Sequence, residues 1–152
     1  MLQEKNIAII GPGVMGKTLA LSLIRTGNLP PKQIAMAGPN IDRLNQLASE
    51  LGVQTFSDNQ AAANAADIVI LAVKPQRLDE ATQTLKGNLS SGKLVISILA
   101  GVPISVLEQK LATRCIVRAM PNTPARIGLG ITVWTKATDV DEAQKQTAAQ
   151  IM

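Results

Sequence analysis

Ile7-Ala8-Ile9-Ile10-Gly11-Pro12-Gly13-Val14-Met15-Gly16 is the stretch whose reading decides the fold. An apolar run rich in isoleucine breaks into Gly-Pro-Gly and resumes as a helix-forming segment, the pattern of a strand, a phosphate loop and a helix. In that arrangement Gly11 makes the sharp turn off the strand and Gly13 lets the backbone approach a pyrophosphate. Gly16 then lets the helix pack closely on the strand. The free N–H groups and positive dipole end of the helix face the phosphate charges. Gly11, Pro12, Gly13, Val14, Met15 and Gly16 are therefore candidate cofactor-binding residues. Three spaced glycines also describe a tight strand-to-helix turn that binds nothing. The context favours the dinucleotide: the motif lies near the start of the chain and follows a β-branched run. It also precedes apolar residues at helical spacing, Leu19, Leu23 and Ile24.

The 152 residues have the length of one domain, with one core expected. Hydrophobic residues make up 46% but aromatics only 1%, so the core must be built from Ala, Val, Ile and Leu, which suits buried parallel strands covered by helices. The net charge of +4 comes without a Lys/Arg cluster or aromatic platform of the kind a nucleic-acid surface uses, and points to an anionic small ligand. Cys115, the only cysteine, sits in the apolar run Cys115-Ile116-Val117 and reads as a buried, inert thiol. With no histidine, the usual acid/base residue and the commonest metal ligand are missing, and no metal site is expected. No signal peptide is legible at the start, and no apolar run approaches the ~20 residues of a membrane span. The expectation is a cytoplasmic protein with no membrane or nucleic-acid partner.

The first helix is expected to end near Thr26-Gly27-Asn28, followed by a strand from Gln33 to Ala37 and a helix from Asp42 to Leu51 closed by Gly52. A short strand at Val53–Phe56 and an Ala-rich helix from Gln60 to Ala66 lead into Asp67–Val73, a continuously apolar strand ended by Lys74-Pro75. A helix over Leu78–Leu85, a strand over Leu94–Leu99, a helix over Ile104–Leu111 and a strand over Cys115–Ala119 follow. Residues 120–129 interrupt the alternation before a strand at Ile131–Thr135 and a helix over Asp139–Met152. This alternation predicts an α/β, Rossmann-type, doubly wound and mostly parallel sheet with helices on both faces and a crevice at the carboxyl ends of the strands. The last helix carries no stop signal, so a further domain beyond residue 152 is expected.

At the end of the second strand an acidic residue would bond the ribose 2′-hydroxyl of NAD and repel a 2′-phosphate. Here the chain reads Ala37-Gly38-Pro39-Asn40, with no acid at the strand end. Asp42 reads as a charge for the first turn of the next helix. Arg43 is either a bidentate phosphate ligand or a solvated helix residue. The balance favours NADP over NAD, with Gly38, Asn40 and Arg43 as candidate contacts. Lys74 is either a phosphate or ribose contact beside the crevice or a lysine pointing to water at a strand end, and Pro75 fixes the chain's exit. Ala100-Gly101 places small residues where a flat nicotinamide ring would approach, or forms a simple strand-to-helix turn. In Arg118-Ala119-Met120-Pro121-Asn122-Thr123-Pro124, two prolines bracket two hydrogen-bonding side chains, Asn122 and Thr123, in a rigid loop.

Gly11–Gly16, Ala72-Val73-Lys74-Pro75, Ala100-Gly101-Val102 and Arg118–Pro124, in this order and spacing, resemble the N-terminal domain of pyrroline-5-carboxylate reductase. The resemblance covers essentially the whole chain. It implies NAD(P)H-dependent reduction of 1-pyrroline-5-carboxylate to L-proline, the last step of proline biosynthesis. It also implies cofactor contacts at the glycine loop, Asn59, Val73, Lys74 and Ala100, with Asn122 and Thr123 near the nicotinamide. Gly38 departs from the family's pattern, in which a polar residue at this position holds the 2′-phosphate. The family's C-terminal helical domain, which forms the dimer and most of the proline-side pocket, has no counterpart here. A homodimer or higher oligomer, and full activity, are expected only with it. Other readings remain: a deazaflavin-dependent NADP oxidoreductase or a 3-hydroxyacid dehydrogenase on the same scaffold, or a dinucleotide-binding module without catalysis.

Overall fold

The computed structural model describes residues 2–121 and 132–152. The strands β1 (Ile7–Ile10), β2 (Ile34–Ala37), β3 (Gln54–Phe56), β4 (Ile68–Leu71), β5 (Leu94–Ser97), β6 (Ile116–Pro121) and β7 (Thr132–Lys136) form one seven-stranded sheet. Its order is β3-β2-β1-β4-β5-β6-β7, parallel throughout except for β7, which runs antiparallel to β6. β1 is central: Ile7 stands opposite both Ile34 and Ile68, and Ile10 opposite both Ala37 and Leu71. The strand order reverses on either side of it, so the topological switch point lies at its carboxyl end, between β1 and β4.

The inner strands β1, β2, β4 and β5 are buried at every position, without alternation, because each face of the sheet carries its own core. Ile7 and Ile9 point with Met36, Ile70 and Ile96 toward the helices α1 (Val14–Arg25), α2 (Ile41–Leu51) and α6 (Glu142–Ile151). Ala8 and Ile10 point with Ala37, Leu71 and Val95 toward α3 (Asn59–Asn64), α4 (Leu78–Thr82) and α5 (Ile104–Leu111). Burying one such aliphatic side chain contributes about 1.5–3 kcal/mol. The small Ala8, Ala35 and Ala37 let the Ala-rich α3 sit close on its face.

The helix ends follow local chemistry. Asn40 caps α2 by accepting from the Arg43 backbone N–H at 2.9 Å, and Gly52 closes it at φ 71°. Asp141 and Gln144 form a reciprocal capping box at the start of α6, so this helix begins at Glu142 and not at Asp139. The helix expected over Leu78–Leu85 is shorter than its sequence pattern. A 3₁₀ turn (Pro75–Arg77) precedes it, and after Thr82 an i→i+3 bond from the Leu85 N–H to the Thr82 carbonyl (3.0 Å) tightens the chain ahead of Gly87 at φ 73°. β7 is antiparallel because the connection from Pro121 to Thr132 is shorter than the dozen or so residues a parallel crossover needs. Cys115, read as buried, is half-buried just ahead of β6, with Sγ 3.9 Å from the Asp139 carbonyl.

The ammonium of Lys93 donates to the carbonyls of Ala63 and Ala66 (2.6 Å to the latter), serving the carboxyl end of α3. Its partial burial pushes its pKa below the ordinary lysine value, opposed by the charge of Asp67. Lys93→Ala is expected to cost about 1–2 kcal/mol by stranding these carbonyls, read as a Tm lower by about 2–8 °C. An unchanged Tm would show that water serves them equally well.

Candidate dinucleotide-binding site

The carboxyl ends of β1, β2 and β4 open into a cleft of about 210 Å³. Its floor is the glycine loop. Gly11 bonds through its N–H to the Ala37 carbonyl (2.9 Å) and holds φ 111°. A Cβ there would stand 2.6–2.7 Å from the Ala72 and Val73 backbone, so only glycine allows β4 to pass this close. A Cβ on Gly16 would overlap the Gly11 carbonyl oxygen, so Gly16 is the residue that seats α1 on the loop. Gly13 differs from both. It is the N-cap of α1, with ordinary φ −82° and no side-chain cap, and a Cβ built on it meets nothing within 4 Å. The first-turn N–H groups of α1 that lack intrahelical partners therefore border an open space that glycine keeps clear, which fits a pyrophosphate.

Around this floor the structure brings together several predicted residues. Pro12, Gly38, Asn59, Val73 and Lys74 line the cleft with Gly11 and Gly13. Asn59 is fixed by α3, capped by Asp58, and donates its amide to the Ala81 carbonyl at 3.1 Å, which leaves its side-chain oxygen as an acceptor. Lys74 is the exposed residue at which β4's extension turns into the 3₁₀ segment. Val14, Met15, Gly16 and Pro75 stand beside the lining and not in it. Ala100 and Gly101 lie beyond the end of β5, outside this cleft. Asn122 and Thr123 lie outside the described residues.

Gly38 has a physical explanation that the sequence alone did not offer. A Cβ there would stand 2.6 Å from Cδ and 2.7 Å from Cγ of Pro12, so the proline ring occupies the space a side chain would need. Asn40 and Arg43, expected as cofactor contacts, stand outside the lining of the cleft on the α2 side. The Arg43 guanidinium leans back over the loop, donating from Nε to the Pro12 carbonyl at 3.0 Å and from an Nη to Gln46 Oε1 at 2.9 Å. These bonds tie the side chain to the loop, and Arg43 itself does not line the cleft. Asn40 uses its oxygen to cap α2.

Arg77, Glu80 and Ala81 also line the cleft and were not singled out from sequence. Arg77 and Glu80 form an exposed i,i+3 ion pair of 3.0 Å at its mouth. The signal was present: Lys74-Pro75 ends a strand at the crevice, so the first turn of the next helix must border it. Among the described residues no cluster of His, Cys, Asp and Glu could hold a metal ion, and no helix is long and apolar enough to cross a membrane.

Comparison with known proteins agrees with this geometry. Pyrroline-5-carboxylate reductase of Vibrio alginolyticus is 39% identical over 152 residues, covering 99% of this chain and 56% of that protein. The structure of a pyrroline-5-carboxylate reductase from Coxiella burnetii superposes with a TM-score of 0.90 at 38% identity, over 97% of this chain and 55% of that one. The Plasmodium falciparum pyrroline carboxylate reductase with NADP bound gives 0.87 at 28% identity, over 99% and 55%. The chain thus spans about half the length of the relatives it matches. Residues 6–101, which run from β1 past the end of β5 and hold the whole cleft, match the family described as "NADP oxidoreductase coenzyme F420-dependent". The chain belongs to that NADP oxidoreductase family, and along nearly its whole length it is similar to pyrroline-5-carboxylate reductases.

Proposed function

We propose that this chain supplies the NADPH-binding part of an enzyme that reduces 1-pyrroline-5-carboxylate to L-proline in the cytoplasm. The observation that carries the reading is the match to pyrroline-5-carboxylate reductases across 97–99% of the chain, including β6, β7 and α6, which lie beyond the shared family region. When bound, NADPH would supply the hydride for the imine carbon; the ring nitrogen is basic enough to arrive protonated, so no acid is asked of this chain. The chain's own residues bind and orient. The amino end of α1 behind Gly13 holds the pyrophosphate, and Val73 and Ala81 make apolar wall. Asn59 offers a side-chain acceptor, while Lys74 and Arg43 add positive charge at the two rims. Fixing the hydride donor about 3–3.5 Å from the acceptor carbon is the main catalytic work left to such a domain.

The test is NADPH oxidation by the natural protein with 1-pyrroline-5-carboxylate and, separately, with an oxidised deazaflavin as acceptor. Turnover with the imine supports the proposal; turnover with the deazaflavin alone overturns it in favour of the chemistry in the family's description. Cofactor choice has its own measurement. Arg43→Ala is expected to weaken NADPH binding roughly 10- to 100-fold, the loss of charge-assisted hydrogen bonds, with NADH affinity unchanged in calorimetric titration.

A further inference from the structure

Arg43 is the end of a hydrogen-bonded chain that crosses from α2 to α1. Its Nε–H donates to the Pro12 carbonyl (3.0 Å) and one Nη–H to Gln46 Oε1 (2.9 Å). Gln46 Nε2 donates to Glu50 Oε1 (2.8 Å), and the other oxygen of Glu50 pairs with Lys17 Nζ on α1. Positions 43, 46 and 50 are spaced three and four apart and so share one face of α2. Lys17 lies one turn into α1, with its backbone N–H on the Gly13 carbonyl at 3.0 Å. The chain of bonds therefore leaves the glycine loop at Pro12 and returns to it at Gly13.

The order of donors and acceptors along it is not interchangeable. An ionised carboxylate only accepts, so Glu50 forces the amide nitrogen of Gln46 toward itself and the amide oxygen toward Arg43. The Gln46 oxygen and the Pro12 carbonyl then fix the guanidinium through two of its five N–H groups. Three remain, including the pair on Nη2. Lys17 neutralises Glu50, so the carboxylate does not offset the attraction of Arg43 for an anion. It also holds Glu50, together with the Gln46 bond, below its ordinary pKa. The Pro12 ring against Gly38 denies the end of β2 a side chain for this task.

We infer that Gln46, Glu50 and Lys17 are positioning residues that hold Arg43 for the 2′-phosphate of NADPH, so that the choice between NADPH and NADH is set on one face of α2. The inference rests on the NADP reading of the site. Its test is calorimetric titration of NADPH and NADH against the unaltered protein, Gln46→Leu, Glu50→Gln and Arg43→Ala, with Tm measured for each. Gln46→Leu is expected to weaken NADPH binding about three- to tenfold, the loss of one hydrogen bond's worth of placement. Glu50→Gln should act in the same direction and less strongly. NADH affinity and Tm stay unchanged in both. If Arg43→Ala lowers NADPH affinity and neither α2 variant does, the relay is overturned while the NADP reading stands. If Arg43→Ala leaves the NADPH-to-NADH ratio unchanged, the NADP reading fails and the inference with it. Equal loss of both cofactors, or a large fall in Tm, would assign the α2 residues to the fold alone and overturn the proposal.

Discussion

Gly13→Val is expected to abolish measurable NADPH binding, a loss of at least about a hundredfold, while the protein keeps its fold. The two halves of that expectation come from the same observation. Nothing stands within 4 Å of a Cβ on Gly13, and its φ of −82° is open to any residue. The folded protein therefore has room for the added Cβ, and replacing glycine at the N-cap is expected to cost about 1 kcal/mol. The unfilled space is also where the amino end of α1 presents its first-turn N–H groups, so the side chain stands where a pyrophosphate oxygen must come to reach them. Calorimetric titration beside thermal unfolding separates the two effects. NADPH binding that survives with Tm unchanged would mean the pyrophosphate is held elsewhere.

Gly16→Ala should do the reverse, destabilising the fold without placing a side chain in the ligand's space. The added Cβ overlaps the Gly11 carbonyl oxygen and stands 3.2 Å from Ile9 Cγ2. The partner that must give is backbone at the central strand's end, not the tip of a flexible side chain. Moving it disturbs the Gly11 N–H bond to Ala37 and the passage of Ala72 and Val73 over Gly11. Overpacking against backbone of this kind is expected to cost about 3–5 kcal/mol, a large share of a stability of roughly 5–15 kcal/mol. Thermal unfolding should show a Tm lower by roughly 10 °C or more. A shift under 2 °C would mean that α1 slides freely on its strand and that the third glycine is not a packing requirement. Two glycines three positions apart in one motif thus fail in opposite ways.

Arg43 and Gly38 show how far the candidate site was legible. The missing acid at Gly38–Asn40 was visible in the sequence, and so was a cation three residues past Asn40. The absence of a polar side chain at Gly38 is a departure from the pattern of the family that the sequence resembles. In the structure it is a consequence of Pro12, whose ring fills the space, and the cation three residues past Asn40 turns back to the carbonyl of that same proline. Arg77 and Glu80 carry no signal of their own for a similar reason: an exposed charged pair at the start of a short helix looks like any solvated surface until β4 carries it to the cleft.

What the sequence by itself determined is what depends on neighbours in the chain. Doubly apolar runs mark strands buried on both faces, Gly-Pro-Gly marks the turn into α1, Asn40 and Gly52 bound α2, and Pro75 ends the extension of β4. Caps, turns and periodicity act over a few residues, so their signals survive in the linear text. The tertiary structure alone decided which strands adjoin, that β7 runs antiparallel, which glycine is excluded by backbone and which opens to a ligand, and that Arg43 reaches Pro12 across 31 positions of sequence. Each of these depends on a distance between residues far apart in the chain, and such distances are set only when two faces of the sheet are packed at once and every helix must settle against both its strand and its neighbours.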